Sequence, residues 1–412
     1  MSLRKKNTNE NQTANLQLVK ETNITLLFNL IYKLGPISRA ELAQRTKLSP
    51  TTVSSLVEEL ISDGIIIETG VGETTTSGRK PIMLEINPDG GYILSFEMMK
   101  DALLCEMYDL KCNEVSGYKE KVADYGKIGQ KIIDEAEKLL KQNNISEEKL
   151  LGISIALPGL INIENKRVTT STVIPIDENN DFFSEIKQRF SNIPVFVENQ
   201  SYLCAYAEKE FGIDEDIEDL VFIDINVGIG AGIIIGGNVF KGSFGLAGEV
   251  GHITIDMNGP KCKCGNRGCL EIMANIPAII QKIIFAIMSG RDTIVKKVID
   301  NDYNKINMDI IKYAIENNDE LVMEIMNETA MKLAFGINNV INLYNPQVVV
   351  IGGEITKGGS FFLEKLNDHL HSIELKPNIN KVKLKYSILK KNAATLGGAR
   401  YVLDNIFRLA QW

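Results

Sequence analysis

Missing from this sequence are the marks of several protein classes. No apolar run approaches the roughly 20 residues a membrane-spanning helix requires, so no membrane partner is expected. The opening MSLRKKNTNE lacks the apolar core of a signal peptide, which points to the cytoplasm. Thiols stay reduced there, so the six cysteines argue against a disulfide framework. Tandem repeats and low-complexity segments are absent as well. So is any excess of positive charge: 45 Lys and Arg face 53 Asp and Glu, for a net charge of -8. The deficit is uneven. Residues 1–80 hold ten basic and eight acidic side chains, so nucleic acid could be met only through this slightly basic head.

What is present describes an ordinary globular chain, 44% hydrophobic and 24% charged. Its 412 residues are enough for two or three domains. After a polar tail, 1–14, helical periodicity begins: Ile24, Leu27, Phe28, Ile31 and Leu34 share a face, and Gly35 supplies the stop. Ser38 and Glu41 have capping-box spacing at the head of ISRAELAQRTKLS. A third helix takes Ser49 as N-cap and Pro50 as its first residue. It buries Val53, Leu56, Val57, Leu60 and Ile61 and turns Thr51, Thr52, Ser54 and Ser55 outward. IIIETG and RKPIMLEIN then read as strands around a polar hairpin tip that carries Arg79 and Lys80.

Three helices and a hairpin, residues 15–87, are the layout of a winged helix-turn-helix. The hydroxyl face, Ser49, Thr51, Thr52, Ser54 and Ser55, suits the major groove; Arg79 and Lys80 suit a narrow minor groove. The competing reading is an interaction module with a solvated Ser/Thr face and an ordinary charged turn. NPDGG, 87–91, marks the boundary with the rest. Beyond it, strands YILSFEMM, ALLCEMYDL and EVSGYKEKV precede a helix, a buried strand and a Gly-rich turn. Helical patterns dominate from about 271 to 343, and AATLGGARYVLDNIF closes the chain as a helix. Such alternation predicts an α/β body of two lobes around a cleft.

The body resembles the ROK family, which groups sugar-responsive repressors with sugar kinases, most specifically in AGEVGH followed by CKCGNRGCLE. The head resembles that of the family's xylose-type repressors. The resemblance implies an actin-like, ribonuclease H-like body. Its first lobe would be 88–199 plus 390–412, and its second lobe, with a zinc knuckle, 200–389. His252, Cys262, Cys264 and Cys269, spaced H-x9-C-x-C-x4-C, make a complete tetrahedral set for Zn²⁺ with no position open for a catalytic water. Gly265 and Gly268 permit the tight path of a knuckle. The alternative is buried free thiols beside a core histidine. The resemblance assigns the four to a structural zinc, and Asn199, Glu249, His252 and Glu271 to sugar hydroxyls. Without it, Glu249 and Glu271 read as an acid/base pair, as solvated carboxylates or as second-layer partners of the metal.

Kinase chemistry lacks its parts. The Asp that the family's kinases use as base is Gln200 here, an amide without useful basicity. Their first phosphate loop, D-x-G-G-T, becomes Glu97, Met99, Lys100 and Asp101, and Val227 replaces the hydroxyl of the second. No catalytic residue is therefore assigned. The expectation is a sugar-responsive repressor, a homodimer or dimer of dimers. Its partners would be operator DNA and a monosaccharide inducer, xylose or glucose, that closes the cleft. A sugar kinase with a fused DNA-binding head, and a head that binds a protein partner, are the alternatives.

Overall fold

The computed structural model describes residues 13–71, 80–162, 168–171, 173–213, 217–373, 381–389 and 392–407. Helix α1 (Thr13–Leu34) buries Ile24, Leu27, Phe28 and Ile31 along one stripe. In α2 (Arg39–Thr46), Ser38 Oγ accepts the Glu41 N–H at 3.2 Å, but the expected return bond from the Glu41 carboxylate does not form. Glu41 instead accepts from Arg45 one turn on, at 2.9 Å, because a guanidinium is a stronger donor than a neutral amide. Ser38 also belongs to a short strand, β1 (Ile37–Ser38), paired with Met83. Helix α3 (Pro50–Ser62) starts at Ser49 as predicted and buries Val53, Leu56, Val57 and Leu60. Strands β2 (Ile66–Val71) and β3 (Ile82–Ile86) complete a sheet of order β1-β3-β2, the wing.

The body holds two five-stranded sheets. The first contains β4 (Tyr92–Met99), β5 (Ala102–Asp109), β6 (Glu114–Lys121) and β7 (Leu150–Leu157). After a small hairpin, β8 (Leu160–Ile161) and β9 (Val168–Thr170), β10 (Val195–Asn199) joins its edge to give β10-β7-β4-β5-β6. Alternation along β4 splits its side chains: Leu94, Phe96 and Met98 meet α4 (Ile128–Gln142) and α5 (Phe182–Arg189), while Ile93 faces the other way. Helix α6 (Gln200–Ala207) leaves directly from β10.

The second sheet is ordered β13-β12-β11-β14-β15, from β11 (Leu220–Ile225), β12 (Ile229–Ile235), β13 (Asn238–Val239), β14 (Val348–Gly352) and β15 (Lys383–Tyr386). Val221, Ile223 and Ile225 face the outer helices. These are α7 (Leu270–Ala274), α8 (Ile276–Met288), α9 (Ile294–Ile299), α10 (Met308–Glu316), α11 (Glu320–Tyr344) and α12 (Gly359–Ser372). Phe222 faces inward, against α6 and the start of the terminal helix α13 (Ala393–Ile406). Helices α6 and α13 thus form the layer between the sheets, crossing so closely at Gly397 that a Cβ there would lie 1.9 Å from the Leu203 carbonyl oxygen. Among the described residues no helix is long and apolar enough to cross a membrane.

The predicted boundary at 87–91 is a turn, with Asn87 capping Pro88–Gly90 and donating to the Gly64 carbonyl at 2.7 Å. It is not a loose tether. Phe28 of α1 stacks on Phe407, just past α13, with ring centroids 3.7 Å apart, and Leu110, Cys112, Val402 and Leu403 join the same core. Replacing a buried aromatic ring by alanine costs about 3–5 kcal/mol. Phe407→Ala should therefore lower the stability of the head–body junction by that order in chemical denaturation, and should expose α1 to limited proteolysis before the rest.

Candidate functional site

The cysteine cluster comes from three local structures. His252 ends a short 3-10 turn (Val250–His252), Cys262 and Cys264 lie in a loop, and Cys269 begins α7. The chain can double back because Gly265 (φ 96°) and Gly268 (φ 59°) take left-handed conformations. All four ligand atoms lie within 4.8 Å of one another. The Cys264 and Cys269 sulfurs are 3.7 Å apart, close to the ~3.8 Å edge of a tetrahedron built on Zn–S bonds of about 2.3 Å. His252 Nδ1 faces the Cys262 sulfur at 3.8 Å, while its Nε2 points toward Glu249 Oε2 at 3.9 Å. The four residues can hold a metal ion, and three thiols with one imidazole suit a thiophilic one.

Glu249 sits where this knuckle meets the cleft. Together with Asn199, Glu198, Tyr202, Lys241 and Gly159 it lines a cavity of about 30 Å³. Burial pushes its carboxyl above the ordinary value, His252 opposes the shift and Glu271 adds to it. Asn199 is more committed than expected. Its Oδ1 caps α6 by accepting from the Ser201 and Tyr202 amides, and its Nδ2 donates to the Gly159 carbonyl at 2.9 Å. Glu271 Oε2 accepts from the Ile229 amide at 3.0 Å, tying α7 to the start of β12. The structure thus brings Asn199 and Glu249 onto one cavity, sets His252 against Glu249, and leaves Glu271 outside that lining. Three polar side chains of the cavity escaped the sequence reading. Glu198 adjoins Asn199 and could have been suspected from VENQ. Tyr202 and Lys241 had no local signal.

Between the sheets, the region matched to phosphate loops is acidic. Glu97 on β4 is 4% exposed and accepts from Gln200 Nε2 at 2.8 Å. Burial, then the nearby Asp224 of β11, push its carboxyl up to about 8, and burial pushes Asp224 to about 6. Gln200 therefore acts as a hydrogen-bond partner to a protonated acid, and two carboxylates stand where phosphate oxygens would need donors. Met99 and Ala102 pair across the tight turn at Lys100 and Asp101, and Tyr125 donates to the Met99 carbonyl.

On the head, Thr51, Ser54 and Ser55 are exposed along α3. Ser49 and Thr52 are partly spent on the helix start: Ser49 Oγ accepts the Thr52 N–H at 3.1 Å, and the two hydroxyls bond at 2.8 Å. Lys80 is exposed beside the wing, and Arg79 lies outside the described residues. Lys47, exposed in a left-handed turn between α2 and α3, was not foreseen. Arg39 and Arg45, by contrast, are held by Glu58, Glu68 and Glu41.

A winged helix-turn-helix stacked on a two-lobed α/β body with a polar cavity between the lobes defines a class: a ligand-responsive DNA-binding regulator. Residues 113–405 match the ROK family and residues 21–67 match a winged helix-turn-helix DNA-binding domain. This chain belongs to the ROK family. It is 34% identical over 394 residues to the xylose repressor of Bacillus subtilis (strain 168), covering 95% of this chain and 97% of that one. It is 28% identical over 367 residues to the transcriptional dual regulator NagC of Escherichia coli (strain K12), covering 89% and 88%. Its fold matches the crystal structure of a ROK family transcriptional regulator, a homolog of the E. coli MLC protein, with a TM-score of 0.81, 29% identity and coverage of 95% and 97%. A ROK glucokinase from Streptomyces griseus shares the body's fold (TM-score 0.67, 22% identity, 76% of this chain and 99% of that one). The protein is a sugar-responsive transcriptional repressor and not an enzyme.

Two outcomes follow from the site. The folded chain keeps a proton on Glu97 that the unfolded chain releases near its ordinary value of 4.5, so this group's contribution to stability is lost as pH rises from about 4.5 to about 8. Glu97→Gln, an uncharged mimic of the protonated acid, should flatten that decline, leaving the variant roughly 2–4 °C above wild type in melting scans at pH 8.5 relative to pH 6. Cys264→Ser should lower the metal recovered per chain, measured by elemental analysis, to a small fraction of the wild-type value.

Proposed function

We propose that this protein represses sugar-utilisation genes by holding operator DNA through α3 and the wing, and that xylose, with glucose as the second candidate, releases it. One observation carries the reading: a winged head is stacked directly on a ROK body whose phosphate region holds buried carboxylates and an amide in place of a base. Three of the relatives are named xylose repressors and a fourth a putative one, each covering 95% or more of this chain, which favours a pentose. Thr51, Ser54 and Ser55 would meet base edges and phosphates in the major groove, Ser49 and Thr52 would add contacts at the α3 start, and Lys47, Arg79 and Lys80 would neutralise phosphates.

The division proposed is 15–87 for the head, 88–199 plus 390–412 for the first lobe and 200–389 for the second. Glu249, Asn199, His252 and Glu271 would receive the sugar, the carboxylates accepting from vicinal hydroxyls. A structural zinc on His252, Cys262, Cys264 and Cys269 would fix the imidazole so that Nε2 and Glu249 keep their places. Paired heads on a two-fold dimer in the cytoplasm would read a palindrome, and losing simultaneous engagement removes an avidity worth roughly 100-fold.

Fluorescence anisotropy of labelled operator DNA tests this. Xylose should raise the operator Kd by about tenfold or more, within the 1–3 kcal/mol of coupling usual between sites, and Lys80→Ala should reduce the salt slope by about one. Operator binding indifferent to xylose, glucose and other monosaccharides would refute the release step.

A further inference from the structure

The cavity at Asn199 and Glu249 is narrow. About 30 Å³ is room for a water or two. One wall, β10 and α6, is fixed by the parallel pairing of β10 with β7 and by the Asn199 cap. The other is the loop from Phe240 to Glu249, whose ends are tied to β12 by the Phe240 N–H on the Ile233 carbonyl at 2.7 Å and the Ala231 N–H on the Gly248 carbonyl at 3.0 Å, and which two side chains hold across the cleft. Tyr202 of α6 donates to the Gly245 and Ala247 carbonyls at 3.2 and 2.5 Å. Lys241 reaches across the cleft to Glu198 Oε1 at 2.5 Å and to the Tyr401 hydroxyl of α13 at 3.3 Å, and Tyr401 itself donates to Glu198 at 2.9 Å. A ring seated at this cavity therefore meets the loop first, before any closure of the lobes around it.

Tyr401 stands on the helix that carries the head. Its ring meets Phe196 and Tyr206 edge-on, both with centroids 5.8 Å away. Its neighbour Arg400, 2% exposed, lies over the Tyr32 ring of α1 at 4.0 Å and pairs with Asp404 at 2.8 Å and Glu210 at 3.2 Å. Tyr206, from the far end of α6, donates to Asp404. Arg400 Nη1 is buried without a partner among the described residues, so this cluster has a donor free for a different arrangement. Phe407, two turns along, makes the stack with Phe28.

We propose that Lys241, Glu198 and Tyr401 form an interlobe clasp that holds the sugar cleft shut and α13 in its operator-binding position, so that an entering neutral sugar opens the clasp and shifts α13 against α1. The proposal rests on the sugar-receiving reading of the cleft. Lifting Lys241 would leave Glu198, a nearly buried carboxylate, without its cation, and Tyr401 would then be its remaining donor. That change of partner falls on the helix packed against Tyr32 and Phe28. Lys241 and Tyr401 are positioning residues: they act on the head through α13.

A clasp that favours the shut form lowers apparent sugar affinity by the fraction of molecules already open, and barely affects operator affinity while the shut form dominates. The test is operator binding by anisotropy across a xylose or glucose titration, with sugar affinity measured separately by calorimetry, on the full-length wild type, Tyr401→Phe and Lys241→Met. Tyr401→Phe keeps the ring and removes the clasp hydroxyl. Its half-release sugar concentration should fall about tenfold, with operator affinity in the absence of sugar within about twofold of wild type; Lys241→Met should shift release in the same direction. Damage to the fold would weaken both activities, and cannot make release easier while sparing DNA binding. An unchanged or raised half-release concentration in Tyr401→Phe, with wild type responding normally, would overturn the clasp alone. A wild type that binds operator but ignores both sugars would overturn the underlying reading and the clasp with it.

Discussion

The structure depends on one packing contact, the crossing of α13 over α6 at Gly397, where backbone meets backbone because no side chain intervenes. This crossing fills the layer between the two sheets. It also fixes α13 so that one side reaches Ser95 and Ser154 of the first sheet through Gly398, and another reaches the head through Arg400, Leu403 and Phe407. Protein interiors are close-packed and transmit displacement instead of absorbing it. A helix in contact with the cleft, the first sheet and the head at once can therefore carry a local change at the cleft to the DNA-binding surface.

The body shares the fold of a ROK glucokinase, but its β4–β5 region is filled with side chains. Where β4 turns into β5, side chains at Met99, Lys100 and Asp101 crowd the backbone that would approach a phosphate, and the space behind them holds Glu97, Asp224 and Gln200. Burial and the nearby Asp224 raise the proton affinity of Glu97, and an amide partner suits its protonated form. The result is a hydrogen-bonded filler, with Glu97 tied to Gln200 and Asp224 to Asn226.

The knuckle serves a related purpose on the far side of the cleft. The path from Ile253 to Cys269 is closed by bridges at Thr254–Cys269 and Lys261–Arg267, and it presents His252 with one ring nitrogen toward the thiols and the other toward Glu249. A carboxylate whose neighbour is oriented from behind keeps its geometry without a large apolar core around it.

Much of this was legible in order along the chain. Caps at Ser38 and Ser49, the stripe Val53–Leu60, the alternating strands and the spacing of His252 and the cysteines depend on neighbours within a few residues, and sequence displays those directly. Several polar groups also took partners that local pattern does not show. Glu41 chose Arg45 over its capping role, Thr52 turned its hydroxyl to Ser49, and Asn199 spent its amide on Gly159, because polar groups go to the strongest partner within reach and local pattern does not rank those partners. Sequence alone displayed the elements, the grouping of His252 with Cys262, Cys264 and Cys269, and the bulky residues at Met99 to Asp101, all properties of residue type at short spacing. Only the tertiary structure decided that Lys241, Glu198 and Tyr401 meet, that Glu97 lies near Asp224, and that Phe28 stacks on Phe407. Such contacts join residues from 43 to several hundred positions apart, and they exist only because close packing of α6 and α13 between the sheets brings those segments to one place.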